Sequence, residues 1–388
     1  MTQRSTALSP PPSTANRPVA VSAAAPTRVI EVPVLRSLSE PDAWMIHGTA
    51  ALCDAVDLAL HGHTDISPDA ARLHTTMVHA DYERMRRLVA VADDRREPES
   101  VVGRAVIALP VTSNTHLALV IVAVHPQWRG RGIGAALWDA ALAVAQTEGR
   151  SVVIADSDHA PEPPPGPGAL EAPTGSGRIP ADDAATRFAL ARGFVLEQVG
   201  RHSVLPLPVE PTGLRRLLDG AREAAGGDYR LHLWSDAVPD AWLDAFALLE
   251  TRMSTDAPSA GLDLTEDVWD ADRVLAESAA IHARGQRFLV AAAEHVPSGA
   301  LSAFSMVEMP DARPEVVFQQ DTLVLKEHRG RRLGMLVKAA LLEELAVVRP
   351  EARRLHTWNA QENEHMLAIN VALGFRPVSV EAEWQLRL

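Results

Sequence analysis

Along this chain the apolar positions form two successive series of the same kind. In the first, Leu117 to Val124 is an unbroken apolar run with the length and composition of a buried strand. It feeds Trp128-Arg129-Gly130-Arg131-Gly132-Ile133-Gly134-Ala135. Beyond that turn Ile133, Ala136, Leu137, Ala140, Ala141 and Val144 recur with the spacing of one helix face. The second series repeats the device at an offset of 200: Thr322 to Leu325, then His328-Arg329-Gly330-Arg331-Arg332-Leu333-Gly334-Met335, then Leu333, Leu336, Val337, Ala340, Leu341 and Leu345. A strand, a basic glycine turn and a helix, found twice, is more specific than either turn alone.

The flanking pattern predicts the same order of elements around both turns. Residues 1 to about 27, rich in Pro, Ser, Thr and Ala, carry too little apolar surface to offset ordering entropy and read as a disordered tail. A strand follows over 29–35, then helices over 41–61 and 68–86 and strands over 88–91, 101–111 and 115–124. After the first loop and helix come a strand over 152–155, a helix over 184–190, Gly193-Phe194 and a strand ending near Leu207. Segment 208–227 reads as a linker with a short helix near Leu214 to Leu218. The order then restarts with a strand over 229–234, helices over 238–253 and 266–282, and strands over 288–293, 299–307 and 316–325. The second loop and helix lead to a strand over 355–359, a helix over 361–373, Gly374-Phe375 and a strand ending at Leu388. The reading is two tandem domains, 28–207 and 228–388. One stretch breaks the parallel: residues 160–180 hold seven prolines, Pro161 to Pro180, and predict a mobile surface loop without regular structure.

A length of 388 residues suits two domains, and 47% hydrophobic content is enough to fill two cores. The single cysteine, Cys53, excludes an intramolecular disulfide framework and suits a reducing compartment. No apolar run is long enough for a membrane span and no signal-peptide core is present, so a cytoplasmic protein with no membrane partner is expected. The net charge of −13 argues against nucleic acid as a partner and makes the arginines of the two turns local exceptions. The 15 histidines show no pair with metal-ligand spacing, so no metal is expected; His356 falls on a predicted strand without a partner.

A strand, a basic glycine turn and a helix suit a small anion. Glycines let the backbone approach closely, and the helix N-terminus presents free N–H groups and favours negative charge. Arg129-x-x-Gly132-x-Gly134 resembles the acetyl-CoA pyrophosphate signature of the GNAT superfamily of N-acetyltransferases, Gln/Arg-x-x-Gly-x-Gly/Ala. Val124-His125-Pro126 and Gly193-Phe194 resemble that family too, as do Asn359, Asn363 and Gly374-Phe375 in the second half. The resemblance implies an α/β (α+β) fold class, with two tandem GNAT-type domains in a mycothiol-synthase-like arrangement. Each is a mixed, mostly antiparallel twisted sheet flanked by helices and splayed open between its fourth and fifth strands.

It further implies acetyl-CoA as cosubstrate, lying in that V. Its pantetheine arm would pair with backbone of 121–124, including Val122 and Val124, in one half and of Leu323 to Leu325 in the other. Its pyrophosphate would sit on Arg129, Gly130, Arg131, Gly132, Ile133 and Gly134, or on Arg329, Gly330, Arg331, Arg332, Leu333 and Gly334. Asn359 and Asn363 would bond the pantetheine amides, with helix capping at Asn359 as the plainer alternative. The implied reaction is direct transfer of an acetyl group to a primary amine of a small molecule or peptide, by a monomer or homodimer. A non-catalytic acyl-CoA sensor is the alternative.

The sequence departs from the family pattern at several positions. Arg332 stands where the signature has glycine. The tyrosine that in the family protonates the departing thiolate is Ala189 in the first half and Asn370 in the second. The positions that often carry the general base are Val120 and Ala118 in the first half, and Gln320 and Phe318 in the second. Asp321 adjoins Gln320. Strict alternation points it to the other face of its strand, and a β-bulge would reverse it. Asp321 and Gln320 are therefore the candidate catalytic residues, with His116 a lesser candidate in the first half. The asparagine-bearing segment favours the second half as the seat of catalysis, with cofactor bound in one half or both.

Overall fold

The computed structural model describes residues 27–159 and 161–388; the tail expected up to residue 26 lies outside the described residues. The first half runs β1 (Arg28–Glu31), α1 (Trp44–His61), α2 (Ala70–Val78), β2 (Glu83–Val91), β3 (Val101–Pro110), β4 (Leu117–Val124), α3 (Ile133–Thr147), β5 (Val152–His159), the short strands β6 (Ala169–Glu171) and β7 (Arg178–Pro180), α4 (Ala184–Leu190) and β8 (Val195–Pro206). After α5 (Pro211–Ala225) the second half runs β9 (Tyr229–Ser235), α6 (Leu243–Asp256), α7 (Ala271–Ala283), β10 (Gln286–His295), β11 (Ala300–Pro310), β12 (Val316–Val324), α8 (Leu333–Val348), β13 (Arg354–Ala360), α9 (Glu364–Leu373) and β14 (Arg376–Arg387). The two halves repeat one order of elements, as the apolar pattern predicts.

The strands do not form two separate sheets. They join in one 12-stranded sheet of order β1-β2-β3-β4-β5-β14-β8-β13-β12-β11-β10-β9. The last strand of each half has crossed over: β14 lies against β5 of the first half and β8 against β13 of the second, and the two crossed strands pair with each other. Each half covers the strand edge the other would leave open, an edge that invites aggregation when bare. Periodicity reveals a strand but not its partner, so this exchange is invisible in the sequence.

Within each half the fourth and fifth strands are parallel and part company after one turn of pairing. β4 and β5 pair over Leu117–Leu119 with Val152–Ile154, and β12 and β13 over Val316–Phe318 with Arg354–His356. Beyond those residues the strands diverge, opening two V-shaped clefts at their C-terminal ends.

One sheet face carries α3, α4, α5, α8 and α9, and the other carries α1, α2, α6 and α7. Leu137, Trp138, Phe194 and Trp384 fill the first half under α3, while Leu218, Leu336, Leu341 and Leu355 fill the second under α8. On the other face, Val89, Val91 and Ile46 pack beneath α1, and Phe246, Phe288, Phe304 and Leu323 pack beneath α6 and α7.

Three expected elements differ. The helix expected over 68–86 stops at Val78, and Glu83 to Arg87 extend β2 instead. Arg84 and Arg86 satisfy their charge across neighbouring elements, on Glu148 (2.7 Å) and Glu31 (2.7 Å). The expected linker is a 15-residue helix, α5, whose Leu214, Leu218, Ala221 and Ala225 are buried against the core of the second half. Residues 160–180 are not featureless either. β6 and β7 form a hairpin whose Ala172 and Ile179 are buried in the first core.

Candidate active site

The clearest difference between the two clefts lies in their fourth strands. Between β3 and β4 the register runs unbroken from Gly103↔Val124 to Ala108↔Leu119. Between β11 and β12 it slips: Ser305 faces Thr322, but Val307 faces Gln319, so Met306 is opposed by both Gln320 and Asp321. The stretch from Val316 to Val324 is accordingly one residue longer than that from Leu117 to Val124, although both begin at the first parallel pair and end where the loop arginine is anchored. Such a bulge adds a residue to one strand and re-aims the side chains beyond it. Val317 packs under α8, while Leu323 and Leu325 pack under α6 and α7. The bulge thus turns Asp321 to the α6/α7 face, where strict alternation would have hidden it.

There Gln320 and Asp321 line a cleft of about 220 Å³ with Glu250, Glu308, Phe246 and Trp269. Glu250 comes from α6, whose Leu243, Phe246 and Leu249 anchor it in the core. Burial drives the Glu250 carboxyl well above its ordinary value, and the neighbouring Asp321 and Glu277 carboxylates push the same way. Burial raises Asp321 and Glu308 as well. Two carboxyls sharing one low-dielectric site cannot both ionise readily, so the pair keeps a proton to higher pH than an ordinary carboxyl would. Glu250 and Glu308 were not singled out from the sequence, and Trp269 reads there as packing. The cue for the two glutamates was an acidic residue among apolar ones on a helix or strand, which periodicity alone reads as solvated surface.

The two turns take the expected form. Gly130 and Gly132 have φ of 75° and 81°, the left-handed region, and α3 begins with no side-chain cap. Gly330 matches at 82°, while Arg332 holds the equivalent left-handed conformation at 57°, an arrangement that costs a non-glycine residue about 1 kcal/mol. In both turns the signature arginine bends back onto its strand: Arg129 Nε donates to the Val124 carbonyl (3.2 Å) and Arg329 Nε to the Val324 carbonyl (3.1 Å). Only the second is neutralised by a carboxylate. Asp256 accepts from Arg329 (3.0 Å) and pairs with Lys326 (2.9 Å). Ile133 and Leu333 are buried at the heads of their helices and anchor the turns.

Asn359 and Asn363 lie together at the end of β13 and the start of α9, and the helix cap falls on Asn363, not on Asn359. The cap is Asn363, whose side-chain oxygen accepts from the Met366 amide (3.2 Å). Asn359 accepts from Asn370 (2.7 Å), which occupies the position of the missing tyrosine. The chain's tyrosines stand elsewhere: Tyr229 bonds His328 (2.8 Å), and Tyr82 lies under Arg273. His116 is committed to Asp263 of the other half and faces no cleft carboxylate (3.0 Å to its carbonyl). His356 does have partners. At the seam between the halves a buried chain runs from Ser379 to His202 (2.8 Å), His356 (3.0 Å) and Asp65 (3.2 Å). Burial pushes His202 down to about 3 and His356 to about 4, so both are neutral at physiological pH.

On the α1 face the acidic groups of the first half sit elsewhere: Asp156 and Asp158 of β5 face Glu383 and Glu381 of β14, and β4 itself contributes no carboxylate. Arg104 stands where the second half has Phe304, each opposite the third residue of its strand's free end, Ala123 or Leu323. Arg87 is buried nearby, held down to about 10 by burial and by Arg104. Ile121, the counterpart of Asp321, cannot titrate.

Among the described residues no group of three or more His, Cys, Asp or Glu side chains is placed to hold a metal, and no helix is long and apolar enough to cross a membrane.

Comparison with known proteins agrees with this geometry. The family described as Acetyltransferase (GNAT) matches residues 57–161. A solved structure of a tandem GNAT protein from the clavulanic acid biosynthesis pathway superposes with a TM-score of 0.70 at 26% identity, covering 93% of this chain and 98% of that one. A GCN5-related N-acetyltransferase from Sphaerobacter thermophilus shares the fold at 15% identity and a TM-score of 0.55, covering 92% of this chain and 95% of that one. No curated protein matches the sequence.

Proposed function

The chain is a tandem GNAT protein, a fold that carries out acyl transfer, and from that premise we propose that it moves an acetyl group from acetyl-CoA directly to a primary amine in its second half. The observation that carries this reading is the β12 bulge, which sets Asp321 beside Glu250 at the mouth of a splayed strand pair. The acceptor class follows from the lining. Four carboxyls, Glu250, Glu277, Glu308 and Asp321, beside the apolar side chains of Val238, Phe246 and Met306, suit a cationic amine with an apolar body.

The thioester enters from the phosphate-loop end. The turn at 329–334 and the uncapped start of α8 hold the pyrophosphate, and the free edges of β12 at Leu323 to Leu325 and of β13 at Asn359 flank the pantetheine arm. The ionised member of the Asp321–Glu250 pair removes a proton from the bound ammonium. Its raised pKa brings it nearer that of the amine than an ordinary carboxylate would be. The neutral amine attacks the thioester carbonyl, the C–S bond breaks, and the thiolate takes a proton from water or from the nitrogen that has just been acylated. No tyrosine hydroxyl assists, because Asn370 fills that place. Gln320 contributes amide polarity to the cleft wall and does not titrate.

The test is thiol release from acetyl-CoA across a panel of primary amines. Amine-dependent release that disappears in Asp321→Asn supports the transferase. Tight acetyl-CoA binding without release for any amine would favour the sensor, a reading that the missing tyrosines keep open.

A further inference from the structure

The first half has no carboxylate at the place of Asp321, where Ile121 stands, and carries a different constellation in its own cleft. Ser157 and His159 lie on β5 beyond Ile154, where pairing with β4 has ended, and Asp183 caps α4. The Ser157 hydroxyl is 2.8 Å from His159 Nε2, and His159 Nδ1 is 2.5 Å from Asp183 Oδ2. The indole N–H of Trp384 donates to the Ser157 oxygen (2.8 Å), leaving that hydroxyl's own hydrogen for His159 Nε2. The neutral imidazole carries its proton on Nδ1, facing Asp183, since the other tautomer would set a lone pair against a carboxylate. Asp183 Oδ1 accepts from the Thr186 amide (2.8 Å). Burial pushes the Asp183 carboxyl up, but its bonds from His159 and Thr186 hold it below its ordinary value, so it remains an anion.

Position separates this group from an ordinary buried network. Ser157 pairs with Ala382 as Asn359 pairs with Arg201, so Ser157, His159 and Asp183 occupy in the first half the places of Asn359, Gln361 and Asn363 in the second. Of these, Asn359 and Asn363 are the residues expected beside the pantetheine arm. His159 is fully buried, whereas Ser157 is half-buried on the same face as the 129–134 turn. The Pro-rich insertion lies between His159 and Asp183, 24 positions apart, and its hairpin packs Ala172 and Ile179 over the core beside them. The one expansion that distinguishes the halves therefore serves to bring Asp183 back onto His159 and shield the pair from water.

We propose that Ser157, His159 and Asp183 form a nucleophile–base–carboxylate relay that takes the acyl group of an acyl-CoA in the first cleft onto Ser157 and releases it to water. The Ser157 oxygen attacks the thioester carbonyl as its proton passes to His159 Nε2. The C–S bond breaks, and that proton leaves with the CoA thiol. Water then attacks the acyl-serine ester, giving its proton to His159, which returns it to the Ser157 oxygen as the carboxylic acid departs. Asp183 positions the imidazole and stabilises its charged form. The inference rests on the reading that the first cleft admits an acyl-CoA.

The test treats the full-length protein with a fluorophosphonate and, separately, with acetyl-CoA in the absence of any amine, followed by acid quench and peptide mapping. The relay requires fluorophosphonate on Ser157 in the wild type and not in His159→Ala. It also requires an acetyl group on the Ser157 peptide, and amine-independent CoA release that Ser157→Ala lowers about a hundredfold or more while amine-dependent transfer persists. A wild-type protein that takes no label on Ser157 overturns the relay whether or not any variant folds. So does undiminished amine-independent release in a folded Ser157→Ala. If calorimetry finds no acetyl-CoA in the first cleft while Ser157 still takes the fluorophosphonate, the relay stands and the acyl-CoA reading of that cleft falls.

Discussion

The two halves of this molecule share an order of elements and a basic glycine turn, and differ in what they set around the cleft. In the second half one extra residue in β12 brings a carboxylate into an acidic cleft with aromatic residues in its lining. In the first half the register is unbroken, Ile121 stands in its place, and arginines fill the neighbouring space. In compensation the first half carries Ser157, His159 and Asp183 where the second has Asn359, Gln361 and Asn363. The lesson is that a duplicated fold can divide its chemistry by a single inserted residue on one side and a short substitution set on the other. The glycine turn and the uncapped helix start stay common to both.

The comparison breaks most sharply at Asp321. Asp321→Asn should lower kcat/KM for amine acetylation by about 10²–10⁴-fold, whereas Ile121→Asn at the corresponding place should leave it unchanged. Steady-state thiol release measures both. Because burial raises the Asp321–Glu250 pair, wild-type kcat/KM should still be climbing with pH above the range of ordinary carboxylates, and Asp321→Asn should abolish that limb.

The cradles come next. Gly334→Asp should weaken acetyl-CoA binding in the second half about tenfold, through repulsion of the phosphates and the approach of its Cβ to Ile369 at 3.0 Å. Gly132→Asp should do the same in the first half only. Calorimetric titration of the single and double variants separates the sites, and unchanged affinity in all three would contradict the assignment of both loops.

A smaller effect should appear at the seam. Asp158 faces Glu381 and Asp156 faces Glu383 across β5 and the crossed strand β14. Burial first, and acidic neighbours second, raise Asp156 to about 6 and Glu383 to about 7. For an acid raised on folding, the stability contribution is full below the unfolded pKa and is lost as pH rises through the folded one. These carboxyls should therefore cost stability between about pH 4 and pH 7. His202 and His356, depressed to about 3 and 4, act in the opposite sense: their contribution is present above about 6.5 and is lost as pH falls. Glu383→Gln should raise the melting temperature at pH 8 and leave it nearly unchanged at pH 4.

The smallest change is Arg332→Gly, which relieves a left-handed residue and should stabilise the fold by about 1 kcal/mol, read by denaturant unfolding.

Much of this was legible in the sequence. The repeated strand, turn and helix follow from apolar spacing and from glycines at 130, 132 and 330 that the left-handed backbone requires. The splay and the tandem arrangement followed from the family resemblance. Asp321 could be named as a candidate but not oriented, because a bulge is a property of the pairing between two strands and leaves no mark on one of them. The crossing of β8 and β14, and the meeting of His159 with Asp183 across the insertion, depend on contacts between residues far apart in the chain. Proline density in 160–180 suggested disorder, yet Ile179 and Ala172 have a core to fill, and that core exists only once β14 arrives.

The most direct test of the central claim is a crystal structure of the full-length protein with acetyl-CoA. The expected result is pyrophosphate on the 329–334 turn, with the thioester carbonyl at the β12 bulge within reach of an amine held by Asp321 and Glu250. Acetyl-CoA seated only in the first cleft, or with its acetyl group directed away from Asp321, would contradict the assignment of amine transfer to the second half.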